Sequence, residues 1–275
     1  MTSRQLTSGL VVVTGGANGI GLALARAYGR RGAAVLIGDR DAEAIKTAVA
    51  ALNSEGIVAH GEMLDVCDQD AVHEFASAAE SLGPISIACL NAGVSGGGGF
   101  TWEITQNAYD FVAAANLWGV LNCIRSFVPK LISQQRSSHI VITASLAGLM
   151  SPPRSASYNA SKAAAVALAK GLRAELNTVA PHVGVTCLAP AMVRTNLLQN
   201  TATQSGAAVA LGADPAQPLP DISAAEVLPD DVAGWVLDAV DASRFWVLSP
   251  ADDPFVTQLR HELDELVQAI HASRR

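Results

Sequence analysis

The stretch that decides the fold is Thr14-Gly15-Gly16-Ala17-Asn18-Gly19-Ile20-Gly21, which follows an apolar run at 10–13 and opens an amphipathic segment at 19–31. A tight turn of this kind needs glycine, because glycine adopts positive φ and lets the backbone approach a bound pyrophosphate. A helix that begins in the turn points its unpaired N–H groups at the phosphates. The stretch therefore predicts a strand, a dinucleotide-binding turn and a helix. The residues of the turn predicted to bind the cofactor are Gly15, Ala17, Asn18, Gly19, Ile20 and Gly21.

An acidic residue follows the second predicted strand, at 33–37. Asp39 lies 18 residues beyond Gly21, close to the spacing of a carboxylate that accepts hydrogen bonds from a ribose hydroxyl. A 2′-phosphate there would meet like charge, so Asp39 favours NAD over NADP. Arg40 follows directly and could pair with a 2′-phosphate, and both residues are predicted to contact the cofactor. The alternative is a solvated Asp-Arg turn without a ligand.

Apolar, β-branched runs alternate with helical segments along the rest of the chain. The further predicted strands lie at about 57–64, 85–90, 139–144, 183–188 and 245–248, and the further helices at about 42–54, 68–81, 105–134, 155–179 and 229–240. Such alternation is typical of βαβ units around a parallel sheet that is buried on both faces. We predict an α/β protein with a single-domain, doubly wound Rossmann fold over residues 1–275, in which helices flank a mostly parallel seven-stranded sheet. The helix at 105–134 is expected to break near Pro129.

Two segments depart from this alternation. Residues 196–225 are rich in Ala, Gly, Thr and Pro, and a long insertion of this kind predicts a substrate-binding loop. A C-terminal helix is predicted at about 253–272, where an Asp cap and Pro254 precede an apolar stripe. That stripe either packs on the protein's own core, or covers the active site or a partner subunit.

The composition excludes several classes of function. Half of the 275 residues are hydrophobic and 16% are charged, which suffices for a large core. The net charge is −7 without a long basic run, so we expect no nucleic-acid partner. No stretch reaches the roughly 18 uninterrupted apolar residues of a membrane span, and the N-terminus lacks the apolar core of a signal peptide, so we expect no membrane partner and a cytoplasmic location. The histidines do not cluster, and no metal site is expected from the cysteines, which are Cys67, Cys89, Cys123 and Cys187.

A series of short motifs follows the glycine turn along the chain. They are Asp65-Val66 after the third strand, Asn91-Ala92-Gly93 after the fourth, Asn116 in the long helix, Ser145 after the fifth strand, Tyr158-Asn159-Ala160-Ser161-Lys162, and Pro190-Ala191-Met192-Val193-Arg194-Thr195. With these motifs in this order, residues 10–248 resemble the classical short-chain dehydrogenase/reductase family. Two positions depart from the family's pattern: Leu90 stands where an asparagine is often found, and Ala191 replaces a glycine.

The resemblance implies a nicotinamide-dependent oxidoreductase that acts on a secondary alcohol or its ketone. It implies that Asp65 and Val66 contact the adenine and that Asn91, Ala92 and Gly93 line the floor beneath the cofactor. Contacts to the nicotinamide end are implied for Pro190, Val193, Thr195, Tyr158 and Lys162, the lysine through the ribose. A homo-oligomer, either a tetramer or a dimer, is implied as well.

The residue types at the centre of these motifs suit alcohol oxidation and ketone reduction. One group must exchange a proton at the substrate oxygen while hydride moves, and Tyr158 is the candidate. A free tyrosine has a pKa of about 10. Lys162 lies one helical turn after Tyr158, so its ammonium, together with the positive ring of the oxidised cofactor, is expected to lower that pKa. Ser145 is expected to hydrogen-bond the substrate oxygen, and Asn116 to hold a water that links Lys162 to solvent.

Two other kinds of protein remain as alternatives. A catalytically inactive member that senses a dinucleotide or has a structural role would not need Asn116, Ser145, Tyr158 and Lys162 together. A sugar epimerase or dehydratase of the related extended family would have a longer chain and a different glycine spacing. The substrate walls are expected at 95–100, 146–154 and 196–220, where the apolar side chains of the middle segment suggest an apolar substrate. Arg154 either binds a carboxylate or is a solvated surface residue.

Overall fold

We describe the protein from a computed structural model, which covers residues 9–96, 98–197, 201 and 225–272. The strands are β1 (Leu10–Thr14), β2 (Ala34–Asp39), β3 (Ala59–Met63), β4 (Ile85–Leu90), β5 (Ser138–Thr143), β6 (Val183–Ala189) and β7 (Trp246–Leu248). The helices are α1 (Gly19–Arg30), α2 (Ala42–Ser54), α3 (Gln69–Leu82), α4 (Gln106–Ala113), α5 (Val120–Ser133), α6 (Ala147–Met150), α7 (Ala156–Val179), α8 (Pro229–Asp241) and α9 (Pro254–Ala272). The substrate-binding loop predicted at about 196–225 lies outside the described residues, apart from 196, 197, 201 and 225.

The seven strands form one sheet in the order β3-β2-β1-β4-β5-β6-β7, and every neighbouring pair is parallel. The chain first builds outward from β1 through β2 to β3, and then returns to place β4 on the other side of β1. Loops that leave the carboxyl ends of β1 and β4 therefore diverge, and this switch point is where open α/β sheets bind ligands. The predicted doubly wound fold is confirmed, and the sheet is parallel throughout rather than mostly parallel.

The sheet separates two apolar layers, and alternate residues of β1 belong to different layers. Leu10 and Val12 pack in the layer that contains α3, α5 and α7. Val11 and Val13 pack in the layer that contains α1, α2 and α8. Burial on both faces explains why the strands are continuously apolar. The edge strand β3 departs from the prediction, since its residues after Ala59 are exposed.

The long helical unit at 106–133 is irregular, but not where the sequence suggests. The predicted break near Pro129 is wrong, because Pro129 lies within α5 without interrupting it. The irregularity is instead a π-helical segment, Ala114–Gly119, between α4 and α5. By length and mean hydropathy the unit Gln106–Ser133 could cross a membrane, but half of the apolar window is buried in the fold. Phe127 and Leu131 of α5 are fully buried in the core, so the apolar character of the unit is explained by packing on the sheet.

The C-terminal helix α9 contacts the rest of the protein through its first two turns. Leu259 is buried against Leu146 and Met150, and Phe255 packs beside them. The second half of the helix exposes its apolar residues, which are Leu263, Leu266, Val267 and Ile270. Helix α9 therefore packs on α6 through only part of its apolar stripe.

Candidate active site

A cleft of about 1300 Å³ opens at the carboxyl ends of the central strands. This exceeds the roughly 300–1000 Å³ typical of pockets for drug-sized ligands, so the cleft has room for more than one small molecule. Most residues predicted from the sequence line it: Gly15, Asn18, Gly19, Ile20, Asp39, Arg40, Asp65, Val66, Asn91, Ala92, Gly93, Ser145, Tyr158, Lys162, Pro190, Val193 and Thr195. Three predicted residues, Ala17, Gly21 and Asn116, do not line it, and their contacts are described below.

The glycines of the turn allow a close approach of backbone that side chains would prevent. Gly15 and Gly19 have φ angles of 63° and 52°, which disfavour residues with a side chain. A Cβ on Gly15 would lie 2.9 Å from the Cα of Ala92, and a Cβ on Gly21 would overlap the carbonyl oxygen of Gly15. Gly15 therefore shapes the cleft surface directly. Gly21 acts from behind by letting α1 pack against the turn.

Asp39 faces the cleft with both carboxylate oxygens held by backbone N–H groups. Oδ2 accepts a hydrogen bond from the N–H of Ala17 at 3.2 Å, and Oδ1 accepts one from the N–H of Asp41 at 3.3 Å. Ala17 itself is buried, so its part is to orient Asp39 rather than to line the cleft. Each oxygen retains further acceptor capacity, because an ionised carboxylate offers about four lone-pair sites.

Asn91 ties together the ends of three strands at the floor of the cleft. Its Nδ2 donates to the carbonyl oxygens of Thr14 and Gly15, both at 3.2 Å. Its Oδ1 accepts from the hydroxyl of Thr143 at 3.2 Å. Since these partners lie at the carboxyl ends of β1 and β5, the Asn91 side chain fixes the glycine turn relative to the strand that leads to Ser145.

Tyr158 and Ser145 meet inside the cleft. Ser145 follows β5, and its Oγ accepts from the N–H of Ala147 at 3.1 Å, which orients the hydroxyl. Burial raises the pKa of Tyr158 above its usual value, and a side-chain hydrogen bond with Ser145 partly offsets that rise. The tyrosine is therefore a neutral phenol near pH 7 in this structure. The expected lowering of its pKa is not found in the protein alone.

Lys162 lies one turn further along α7 and is buried. Its Nζ donates to the carbonyl oxygen of Thr143 at 3.0 Å and lies 5.7 Å from the centroid of the Tyr158 ring. Burial lowers the pKa of Lys162 to about 8, while the nearby Cys187 thiol acts in the opposite direction. Lys162 is thus mostly protonated at pH 7, but it loses its proton at a lower pH than an exposed lysine does.

Asn116 is fully buried in the π-helical segment and clamps neighbouring elements together. Its Nδ2 donates to the Val94 carbonyl at 2.9 Å and to the Ser161 hydroxyl at 3.0 Å, and its Oδ1 accepts from the Val94 N–H at 2.8 Å. Both amide hydrogens are therefore used. A water linking Lys162 to solvent could bind Asn116 only at the second lone pair of Oδ1 or at its main chain. That role of Asn116 stays a prediction.

The cleft extends beyond the residues predicted for the cofactor and the proton exchange, and the sequence indicated only part of this further lining. From the two expected segments, Ser95, Gly96, Gly98 and Gly99 line the cleft, and so do residues that include Leu146, Met150 and Arg154, whereas Phe100 does not. Ile104 and Phe255 line it as well and were not singled out. The sequence did point to Phe255, because this residue begins the apolar stripe of α9. Its position in the cleft lining supports the alternative that this helix covers the site. Among the described residues, no group of three or more His, Cys, Asp or Glu could hold a metal ion.

The fold, with its crevice at the switch point between β1 and β4, defines a doubly wound α/β protein. The family model for short chain dehydrogenases matches residues 9–206, and the chain belongs to this family of oxidoreductases.

Relatives agree with this assignment, and two of the following three cover nearly the whole chain. The 1-deoxy-11-beta-hydroxypentalenate dehydrogenase of Streptomyces exfoliatus is 34% identical over 264 residues, which cover 95% of this chain and 90% of that protein. The C alpha-dehydrogenase of a Sphingobium strain is 35% identical over 189 residues, which cover 68% of this chain and 61% of that protein. The crystal structure of a short-chain dehydrogenase/reductase from Burkholderia phymatum in complex with NAD is 32% identical, with a TM-score of 0.82 and 94% coverage of both chains.

Proposed function

We propose that the protein interconverts a secondary alcohol and its ketone with a nicotinamide cofactor, preferring NAD, and that Tyr158 exchanges the proton at the substrate oxygen. The observation that carries this proposal is the convergence of Tyr158, Ser145 and Lys162 in the same cleft as the glycine turn and Asp39. Family membership supports the reaction class.

The residues of the cleft fit a nicotinamide dinucleotide. Gly15 and Gly19 leave the backbone bare at the start of α1, where N–H groups can bind a pyrophosphate. A Cβ on Gly93 would lie 2.9 Å from the Oδ1 of Asn116 and 3.3 Å from the Nζ of Lys162, so glycine there lets the floor of the cleft pack closely against both residues. When bound, the cofactor supplies or accepts the hydride at the substrate carbon.

Tyr158 suits both directions of the proton exchange. In ketone reduction the neutral phenol donates its proton to the substrate oxygen as negative charge develops there, while Ser145 donates a hydrogen bond to the same oxygen. In alcohol oxidation Tyr158 must first lose its proton, and the ammonium of Lys162 on the same side of α7 stabilises the phenolate. Burial of Tyr158 disfavours the phenolate, so this role depends on positive charge brought by Lys162 and the oxidised cofactor.

Asp39 supports a preference for NAD. Its carboxylate lines the cleft and retains acceptor capacity for ribose hydroxyls, whereas a 2′-phosphate would be repelled. The relative from Burkholderia phymatum was crystallised with NAD, in keeping with this preference. Arg40 also lines the cleft and is the residue through which NADP would be accommodated.

A screen of the purified protein tests the proposal. NAD and NADP are each supplied with a panel of secondary alcohols, and the absorbance of the reduced cofactor is followed. We expect turnover on several alcohols, faster with NAD. Cofactor binding without turnover of any alcohol in the panel would favour the competing class, an inactive dinucleotide sensor. The homo-oligomeric state and the cytoplasmic location stay predictions.

A further inference from the structure

Three side chains form a continuous stack at the outer rim of the cleft. The guanidinium carbon of Arg154 lies 4.7 Å from the ring centroid of Phe100. The rings of Phe100 and Trp102 are 4.9 Å apart and parallel to within 2°. Arg154 lines the cleft, and Gly99 and Glu103, which flank the aromatic pair in sequence, line it too. We call Phe100, Trp102 and Arg154 the rim stack.

The rim stack is open to solvent to an unusual degree. Trp102 is 80% exposed, the most of any large hydrophobic side chain described, and Phe100 is 44% exposed. The two stacked rings of Phe100 and Trp102 offer a preformed flat surface. An aromatic ring of a ligand can pack on such a surface by offset stacking. Phe100 and Trp102 do not themselves line the cleft, but they adjoin Gly99, Glu103 and Arg154, which do, so the rings lie beside the cleft in which the proposed chemistry occurs.

The backbone that carries Arg154 is held in place rather than left as a free loop. Ser151 and Arg154 both adopt positive φ, 50° and 66°, on either side of a Pro-Pro pair. The N–H of Gly99 donates to the carbonyl oxygen of Arg154 at 3.1 Å, and the Nδ2 of Asn159 donates to that of Pro152 at 2.7 Å. Strained non-glycine positions persist where the surroundings over-determine them, and they concentrate at ligand-binding segments.

The charges at the rim favour a neutral ligand group over a carboxylate. Glu103 accepts a hydrogen bond from the N–H of Phe100 at 3.2 Å and lines the cleft beside Arg154. The acid and the guanidinium thus offset each other. Deeper in the cleft the wall is apolar, with Leu146, Met150 and Phe255 packed together.

We propose that the rim stack binds an aromatic ring of the substrate that is remote from the reacting carbon, so that the enzyme prefers aryl-substituted secondary alcohols and ketones. This inference rests on the proposed function for the reacting end of the substrate. Arg154 precedes Tyr158 by four residues, so their Cα atoms lie at most roughly 14 Å apart. A substrate of ordinary length can therefore bridge Tyr158 and the rim stack.

Two matched series of methyl ketones test the proposal. One series carries a terminal phenyl ring on a chain of one to six methylenes, and the other carries a terminal cyclohexyl ring of similar size. The ratio of kcat/KM, phenyl over cyclohexyl, should pass through a maximum of about 3- to 10-fold at one chain length, mainly through KM. In Trp102→Leu the ratio at that length should fall towards one. Trp246→Leu, a change at a partly exposed tryptophan of β7 that belongs to neither the cleft lining nor the rim stack, should leave the rates and the ratio unchanged.

Several outcomes would overturn the proposal. These are a ratio near one at every chain length in the unchanged enzyme, or a ratio that Trp102→Leu leaves intact. A lower molecular mass of Trp102→Leu by light scattering, with the aryl preference retained, would assign the rim stack to a subunit contact instead. Absence of turnover on all ketones would contradict the proposed function. In that case calorimetric binding of the matched phenyl and cyclohexyl ketones would still decide whether the rim stack selects the aromatic ring.

Discussion

Asp39 shows how one residue can set the choice of cofactor. The N–H groups of Ala17 and Asp41 hold its carboxylate at the cleft, and the neutral Asn isostere keeps the shape while it removes the charge. We expect Asp39→Asn to lower the NAD-to-NADP ratio of kcat/KM by about 10-fold or more, because hydrogen bonds to charged groups are the stronger ones and the repulsion of a 2′-phosphate disappears. Asp68→Asn, at a helix cap outside the cleft lining, should leave the ratio unchanged. An unchanged ratio in Asp39→Asn would remove Asp39 from cofactor recognition.

The lowered pKa of Lys162 makes the stability of the folded protein depend on pH. Burial lowers that pKa to about 8 from 10.5, so the folded protein binds fewer protons than the unfolded chain between these pH values. The cost of burying the ammonium is fully present below pH 8 and is relieved as the pH rises towards 10.5. Relative to Lys162→Met, the unchanged protein should therefore gain unfolding free energy between pH 7 and pH 10, by at most about 3 kcal/mol.

Denaturant unfolding of both proteins at the two pH values measures this difference. A difference that stays constant with pH would mean that Lys162 keeps an ordinary pKa in the folded protein. Activity need not be compared, since the loss of the ammonium is expected to impair catalysis in any case.

Most residues that the sequence predicted for the site line the cleft, but the sequence did not predict what each one contacts. Of the predicted residues, Ala17, Gly21 and Asn116 lie behind the cleft lining. A motif marks a position in the chain, but it does not separate a side chain that touches a ligand from one that supports its neighbour. The hydrogen bonds from Asn116 to Val94 and Ser161 span 22 and 45 residues of sequence, and no local pattern reports such pairings.

At the scale of elements, the packing of α1 against the glycine turn is the feature most open to test. A Cβ on Gly21 would overlap the Gly15 carbonyl oxygen, so Gly21→Ala must displace α1 or the turn. We expect it to destabilise the protein by about 1–3 kcal/mol and to weaken cofactor binding. Gly171→Ala on α7 meets no heavy atom within 4 Å and should instead stabilise by about 0.5–1 kcal/mol with binding unchanged. Thermal unfolding and cofactor titration of both variants provide the comparison, and equal behaviour would contradict it.

The long strands and helices could be predicted because, in these segments, the spacing of the hydrophobic residues and the length of the segment indicate the same type of element. The exceptions have identifiable causes. Helix α6 has four residues, too few to show a period, and it was missed. Pro129 was expected to break its helix, yet α5 continues through it, and the irregularity is the π-helical segment that carries Asn116. No residue type marks such a segment, so sequence reasoning had no signal for it.

At the scale of the whole molecule, the sheet order decides where chemistry can occur. The return from β3 to β4 puts the ends of β1 and β4 side by side, and it brings residues as far apart as Gly15, Tyr158 and Phe255 to one cleft. The alternation of strands and helices predicted the doubly wound fold that produces this crevice. The substrate wall could not be predicted in the same way, because it is assembled from loops and the start of α9.

The most direct test of the account is Tyr158→Phe, which removes the one hydroxyl assigned to the proton exchange. A ligand that binds only the folded state raises the unfolding temperature, so NAD should stabilise the variant and the unchanged protein alike, by about 3 kcal/mol at 100 times Kd. Steady-state turnover of an alcohol that the unchanged enzyme oxidises should meanwhile fall by 100-fold or more, on the order of the contribution of a general acid or base. Turnover within a few-fold of the unchanged enzyme, at equal NAD stabilisation, would contradict the assignment of Tyr158 and with it the proposed mechanism.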